Sequence, residues 1–250
     1  MSDVDLPASG MALFFLLGLR HGIEPDHIAA IDGLTLRAHD HRESHAPWTG
    51  TLFALGHGLA VAAIAIGISL LAASFTLPPA LVDVIDWLPI VMLTLLGLWN
   101  LRALLTPGTY RPSSVRMKLI PARLRDRTDL WSTVAIGLLF ALVVDTVAHV
   151  SAWSVFATHQ GGWWAGVSAG LLFSAGMLIA STADSQLISR MLRSAGSVAA
   201  ASRLRRGIGW FVVILSFGVV AHAVHGKLTG AEKGHEHSRS HPAAELRQTT

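Results

Sequence analysis

The chain has 250 residues, 52% of them hydrophobic and 14% charged, with a mean hydropathy of +0.51. Soluble domains carry about a quarter charged residues, so this composition excludes an ordinary soluble domain and implies a polytopic, all-α membrane protein. The net charge of +3 and pI of about 9.9 do not point to nucleic acid, because Lys and Arg sit in loops between apolar runs. With no cysteine, a metal ion would be held by His, carboxylate, Met sulfur or backbone oxygen.

Six stretches are long and apolar enough to be read as transmembrane helices, at 8–33, 50–75, 84–105, 131–157, 163–189 and 208–226. Asp3 and Asp5 stand where a cleavable leader would be basic, so the first run is expected to stay in the mature protein. The loop 34–49 carries Arg37 and Arg42. The connector 106–130 carries six basic residues, among them Arg116 and Lys118, and 190–207 carries five. The loops 76–83 and 158–162 carry none, so the basic loops are expected in the cytoplasm and both termini outside. The connector is expected at the lipid headgroups, as an amphipathic helix around 115–127 or as a plain basic anchor. Trp87, Trp131, Trp163 and Trp164 fall near span ends as interfacial anchors. Residues 1–226 form the expected membrane domain, and 227–250, rich in Gly, Ser, Ala and charge, the expected disordered tail.

A repeat divides the chain into halves at about 8–105 and 131–226. Gly18 to Asp26 in "GLRHGIEPD" returns as Gly137 to Asp145 in "GLLFALVVD", "LFALGH" (52–57) returns as "LFSAGM" (172–177), and Gly97 answers Gly218, with offsets of 119, 120 and 121. Three spans per half force the second half to be inverted, an arrangement that places the substrate near the midplane.

The stretch "RHGIEPDHIAAID" (20–32) puts ionisable groups inside the first span, where each costs about 2.5–3.5 kcal/mol to insert. Pro25 is expected to kink the helix between residues 21 and 25 and to leave the carbonyl of His21 free. The kink would gather His21, Asp26 and His27, with Glu24 beside them, into a nitrogen and oxygen ligand set. Such a set suits Ni²⁺, Co²⁺ or Zn²⁺ better than Cu(I). His57 in the second span, and Asp145, His149 and Asp184 in the fourth and fifth, extend the polar path through four spans.

With these residues the chain resembles the nickel/cobalt transporter family. The spacing H-x4-D-H of that family's signature helix is matched by His21, Asp26 and His27, and its Gly-His motif by "LFALGHGLAV" with His57. Its Asp-Thr-Ala-Thr-Glu motif is similar to "LVVDTVAH" (142–149), and its Gly-Met and Asp-Thr-x-Asp-Gly motif to "GMLIASTADS" (176–185), which includes Met177 and Asp184. The chain departs from the pattern at Glu24 and Pro25 (usually Asp-Ala), Gly58 (Ser), His149 (Glu) and Ser181 (Asp). The resemblance implies a shortened member with about six of the usual eight spans, its first span answering the family's second. It also implies a permease that carries Ni²⁺ or Co²⁺ as substrate, holds no prosthetic group and is not an enzyme. His21, Asp26, His27, His57 and Glu24 would bind the ion, while Asp145, His149, Asp184 and Met177 would serve coupling or the pathway.

The resemblance favours uptake. Efflux, and an accessory role delivering nickel to enzyme maturation proteins, are the alternatives that share every site residue. An intramembrane metalloenzyme is disfavoured because neither adjacent histidines nor H-E-x-x-H occur, and no phosphate-binding G-x-x-x-x-G-K-[ST] loop is present. Two outer clusters, His39, His41 and His45 in the first basic loop and His225, His235, His237 and His241 at the tail, are read as sites of metal capture or delivery.

Overall fold

The computed structural model describes the backbone of residues 8–71, 79–108, 110, 112, 114–142 and 144–240, and the side chains of most of these apart from 71–86, 144–162 and 230–240. Every regular element among them is helical: α1 Ala8–Gly22, α2 Pro25–Asp40, α3 Thr49–Leu71, α4 Pro79–Leu105, α5 Ala122–Arg125, α6 Leu130–Ala141, α7 Val144–Ser194 and α8 Val198–Ser240. Short 3-10 turns lie at Ala46–Trp48 and Arg116–Lys118. Four segments are long and apolar enough to cross a bilayer, Ala46–Ile68, Trp87–Leu105, Trp163–Ser194 and Ala199–Thr229, and Leu130–Ala141 is a shorter apolar helix. The chain is a polytopic helical membrane protein.

Two of the six expected spans differ from this. The first, 8–33, is two helices in series. The residue before a proline is pushed out of the α region, and Glu24 accordingly adopts φ −64° and ψ 146°, so that α1 ends and Pro25 opens α2 at the first-turn position that tolerates it. The kink expected from Pro25 is therefore a break. The His21 carbonyl is not free either: it accepts from the Glu24 N–H at 3.1 Å. The expected loop at 158–162 is helical, and α7 runs unbroken for 51 residues. The glycines at 161 and 162 weaken helix propensity, but no proline in the segment removes a backbone donor. The break in this half falls instead between α6 and α7, just after Leu142. At the far end α8 takes in residues 227–240, which composition assigned to a disordered tail.

The bundle is organised by paired glycine contacts. A side chain on Gly18 would run into the backbone of Phe173, and one on Gly137 into the backbone of Phe53. Gly176 packs in the same way on Phe15 and Leu19, and Gly56 on Val134 and Leu138. Each contact in one pair maps onto the other by adding or subtracting 119 or 120 residues. The helices thus touch backbone to backbone, as small residues allow in membranes, and the contacts obey a pseudo-two-fold relation. Phe14 meets Ala169 and Gly22 meets Met177, so α1 runs parallel to α7. Gly50 meets Ser181 and Gly58 meets Ser174, so α3 runs antiparallel to α7, and α6 follows α3. Hence α1 and α6, the equivalent helices of the two halves, point in opposite directions, which is the geometry of an inverted repeat.

The break after Gly22 and the break after Leu142 are equivalent positions in this relation. Beyond its break α2 continues along α7, with Leu36 packed on Ile188 and Leu192, so the broken α1–α2 segment follows a single path. The α4 and α8 helices pair across Gly97 and Phe217 and close the side of the bundle against Ile28 and Ala29.

The basic connector lies only partly on the surface. Met117 and Ile120 enter the core with Ile31, Leu34, Phe53, Ile136 and Phe140, and Arg116 is 4% exposed. Only its last part, 122–125, forms a short α-helix. Asp129 then caps α6, accepting from the Ser132 N–H at 2.9 Å and its hydroxyl at 2.7 Å. The three basic segments meet at one end: Arg205 donates to Asp40 at 3.2 Å, Arg37 donates to the carbonyl of Arg125, and His45 Nε2 lies 2.8 Å from the carbonyl of Thr128. Trp87, Trp131, Trp163 and Trp164 are all exposed, as interfacial anchors require.

Candidate metal site

The break between α1 and α2 decides the site. His21 ends the last turn of α1, Glu24 spans the gap, and Asp26 and His27 open the first turn of α2. A straight helix would have spread these side chains around its circumference. From the side, α3 brings His57, held close to α7 by the small residue Gly58, whose added side chain would touch Ser174.

Three imidazoles converge there. The ring centres of His21 and His27 are 4.3 Å apart, those of His27 and His57 4.9 Å, and those of His21 and His57 5.6 Å. One nitrogen from each lies within 4.8 Å of the others. His27 and His57 have no exposed surface. Nε2 of His21, Nε2 of His27 and both nitrogens of His57 are inaccessible and have no hydrogen-bond partner.

The second nitrogens are not idle. His21 Nδ1 lies 3.0 Å from Glu24 Oε2, and His27 Nδ1 lies 3.4 Å from Asp26 Oδ1. A carboxylate on the far nitrogen is the usual way to orient a metal-ligating histidine, because it fixes the tautomer and turns the other nitrogen toward the ion. Glu24, Asp26 and His27 also form a ligand group of their own within the same 4.8 Å limit. Phe53, Phe140 and Phe173 wall the cluster, with ring centres 5.2 Å from His27 to Phe140 and from His21 to Phe173. The surroundings are apolar, so an ion entering them would exchange its water for nitrogen.

Arg116 completes the site from the connector. Its Nε is 3.1 Å from Asp26 Oδ2, and its guanidinium sits over the Phe140 ring at 5.2 Å. Sequence reasoning missed it: an arginine in a basic loop carries no spacing signal that separates a buried partner from a headgroup anchor. Met177 is fully buried, and its Cε would lie 3.8 Å from a side chain on Gly58, beside His57. Asp184 is not in the histidine cluster; the packing of Leu36 on Ile188 puts it at the level of Asp32, which was absent from the expected ligands. The side chains of Asp145 and His149 lie outside those described.

The outer histidine clusters are not assembled as metal sites among the described residues. His45 is engaged with the connector, and no group of three ligating side chains forms at 39–45. The side chains at 235, 237 and 241 lie outside those described.

The chain's N-terminal part, residues 8–106, matches a family model described as high-affinity nickel-transport protein. Among curated relatives, the chain is 29% identical over 214 residues to the cobalt transport protein NhlF of Rhodococcus rhodochrous, covering 74% of this chain and 60% of that protein. It is 26% identical over 203 residues to the nickel transporter NicT of Mycobacterium tuberculosis, covering 68% of this chain and 54% of that one. The chain is similar to nickel and cobalt transporters, most specifically over its N-terminal part. It spans little more than half the length of both relatives, and no solved structure matches it. The span matched by the family model takes in His21, His27 and His57, so the family's matched region and the buried imidazole cluster coincide.

Proposed function

We propose that the chain is a permease for Ni²⁺ or Co²⁺, working in the direction of uptake and binding the ion through Nε2 of His21, Nε2 of His27 and one nitrogen of His57. The observation that carries this reading is the set of four inaccessible ring nitrogens with no partner. An unsatisfied buried polar group costs about 1–3 kcal/mol. Several in one place are retained only where a ligand recovers the cost, and neutral imidazole nitrogens are ligands for borderline divalent metals.

Glu24 and Asp26 act in this reading as orienting carboxylates that also offset the charge of the ion. Asp26 is shared with Arg116, so the bound ion and the guanidinium compete for one carboxylate. The pseudo-two-fold relation supplies a route: the broken segments 8–40 and 127–159 are equivalent by the offset of 119, and rocking of one half against the other opens the cluster first to one side and then to the other. The basic end of the bundle faces the cytoplasm, with both termini outside. Asp145, His149 and Asp184 are the groups available for ion coupling, and transport needs no chemistry from the chain itself.

The test is time-resolved accumulation of radiolabelled nickel by cells expressing the protein beside His21→Ala and His27→Ala, with membrane abundance matched. Accumulation falls to background in both variants and is suppressed in the wild type by excess cobalt. Equal accumulation in all three refutes the site, and accumulation below that of the variants reverses the direction to efflux.

A further inference from the structure

Further along α2 lies a second polar group that the histidine cluster does not use. Asp32 is 1% exposed, and its Oδ1 has no hydrogen-bond partner. It stands five residues past His27, or about 7–8 Å along the helix axis at 1.5 Å per residue. From α7 it is met by Asp184: Leu36, four residues on from Asp32, packs on Ile188, four residues on from Asp184, so the two aspartates stand at one level of the α2–α7 contact, and Asp184 Oδ2 is equally inaccessible and unpartnered. Neither carboxylate has a hydrogen bond or ion pair among the described residues. Tyr110 gives its hydroxyl to Asn100 at 2.7 Å.

Around this pair the neutral oxygens are unusually idle. Thr35 follows Asp32 by one turn on the same face of α2. Ser181 precedes Asp184 by one turn of α7, and Ser189 follows it by little more than one. All three are at most 1% exposed and have hydroxyls without a partner. Serine and threonine inside a helix ordinarily return their hydroxyl to a carbonyl one turn back, as Ser216 does to Val212 at 2.6 Å and Thr94 to Ile90 at 2.7 Å in this same bundle. Here they do not. Two buried carboxylates with no positive partner among the described residues repel each other in a medium of low dielectric, and burying charge without compensation is expensive. Oxygen donors in this number, two of them charged, describe a ligand set for a hard divalent cation.

We infer that Asp32 and Asp184, with Thr35, form a second, oxygen-lined cation site between α2 and α7, the hydroxyls of Ser181 and Ser189 standing on either side of it along α7. It receives the divalent ion after the histidine cluster on the way to the basic end of the bundle. The inference rests on the transport reading for what the cation is doing there, and on Asp32 and Asp184 alone for the site's existence. A weaker, harder site downstream of a nitrogen site lets the ion leave: nitrogen donors select it, and exchangeable oxygen donors release it.

The full chain, purified in detergent, is titrated with Mn²⁺, a hard ion with little preference for imidazole, and free Mn²⁺ is counted by its electron paramagnetic resonance signal. Asp32→Asn and Asp184→Asn, which keep the side-chain volume, each weaken Mn²⁺ binding roughly 10- to 100-fold, while His57→Leu leaves it unchanged. Thr35→Val, the least disturbing to the fold, produces a smaller loss of the same sign. Equal Mn²⁺ binding in the wild type and both aspartate variants overturns the site, as does a wild type that binds Ni²⁺ through His57 but no Mn²⁺. Aspartate-dependent Mn²⁺ binding in a protein whose Ni²⁺ binding ignores His57 upholds this site and refutes the histidine one.

Discussion

His57→Leu separates a ligand from a structural histidine, because the two roles predict opposite signs of stability. His57 has no exposed surface, and both ring nitrogens are unpartnered. Phe53 and Phe140 stand 5.9 and 6.1 Å from its ring centre. Leucine fills a similar volume with no polar atom, so removing the unsatisfied nitrogens stabilises the metal-free protein by about 1–2 kcal/mol. In a chain of this size that raises Tm by about 2–8 °C. Structural four-ligand sites bind Zn²⁺ with about 10–16 kcal/mol, or roughly 3 kcal/mol per ligand, so losing one ligand weakens Ni²⁺ binding on the order of 100-fold. At Ni²⁺ equal to 100 times the wild-type Kd, the wild type gains about 2.7 kcal/mol and the variant only about 0.4. Thermal unfolding of the detergent-solubilised protein with and without Ni²⁺ reads both numbers. The variant melts higher than the wild type without metal and barely responds when it is added. A variant that melts lower without metal and keeps the full Ni²⁺ shift makes His57 a packing residue and refutes the reasoning.

Two further outcomes test the surroundings of the cluster. Arg116→Ala leaves the buried Asp26 carboxylate without its ion-pair partner and destabilises the protein by about 3–5 kcal/mol, measured as a loss of folded protein in detergent; Arg116→Lys, which restores the charge without the planar fork, recovers part of it. Gly137→Ala forces its methyl into the Phe53 backbone and costs about 1–3 kcal/mol, whereas Gly67→Ala, where nothing lies within 4 Å, changes stability by a few tenths at most or improves it; equal effects in the two variants would show that the close helix contacts are not where the bundle is held.

The helices that sequence located well are those whose apolar runs are uninterrupted, α3 and α4, with α8 found through its central part. Hydropathy reads an average over about 20 residues, so it cannot see a break of one or two residues inside an apolar run. This is why 8–33 read as one span and why the break after Leu142 went unnoticed while a loop was expected at 158–162. Pro25 did mark the first break, but its effect on the preceding residue, Glu24, outweighed its effect on the carbonyl behind it. The glycine repeat was legible because packing imposed it: Gly18, Gly56, Gly137 and Gly176 recur where backbones touch, and any side chain there would separate the helices.

The candidate site was legible where it is local and illegible where it is not. His21, Glu24, Asp26 and His27 lie within seven residues, so one glance finds them, and His57 follows from its place in an apolar span. Arg116 reaches Asp26 across 90 residues, and the packing of Leu36 on Ile188 brings Asp32 and Asp184 to one level across 152, separations that no spacing rule covers. The repeat also bears on why the described residues hold one buried histidine cluster and not two. At the positions equivalent to His21 and His57 the second half has Phe140 and Met177, while Phe53 and Phe173 exchange places under the same relation. The ring of Phe140 stands 5.2 Å from Phe53, as His21 stands 5.2 Å from Phe173. The second half thus keeps the shape of the site and lacks its ligands, and it packs its aromatic ring against His27 of the first. A symmetric frame with an asymmetric histidine set leaves a single candidate binding position among the described residues, and the unsymmetric addition Arg116 pairs with Asp26 on that side of the bundle.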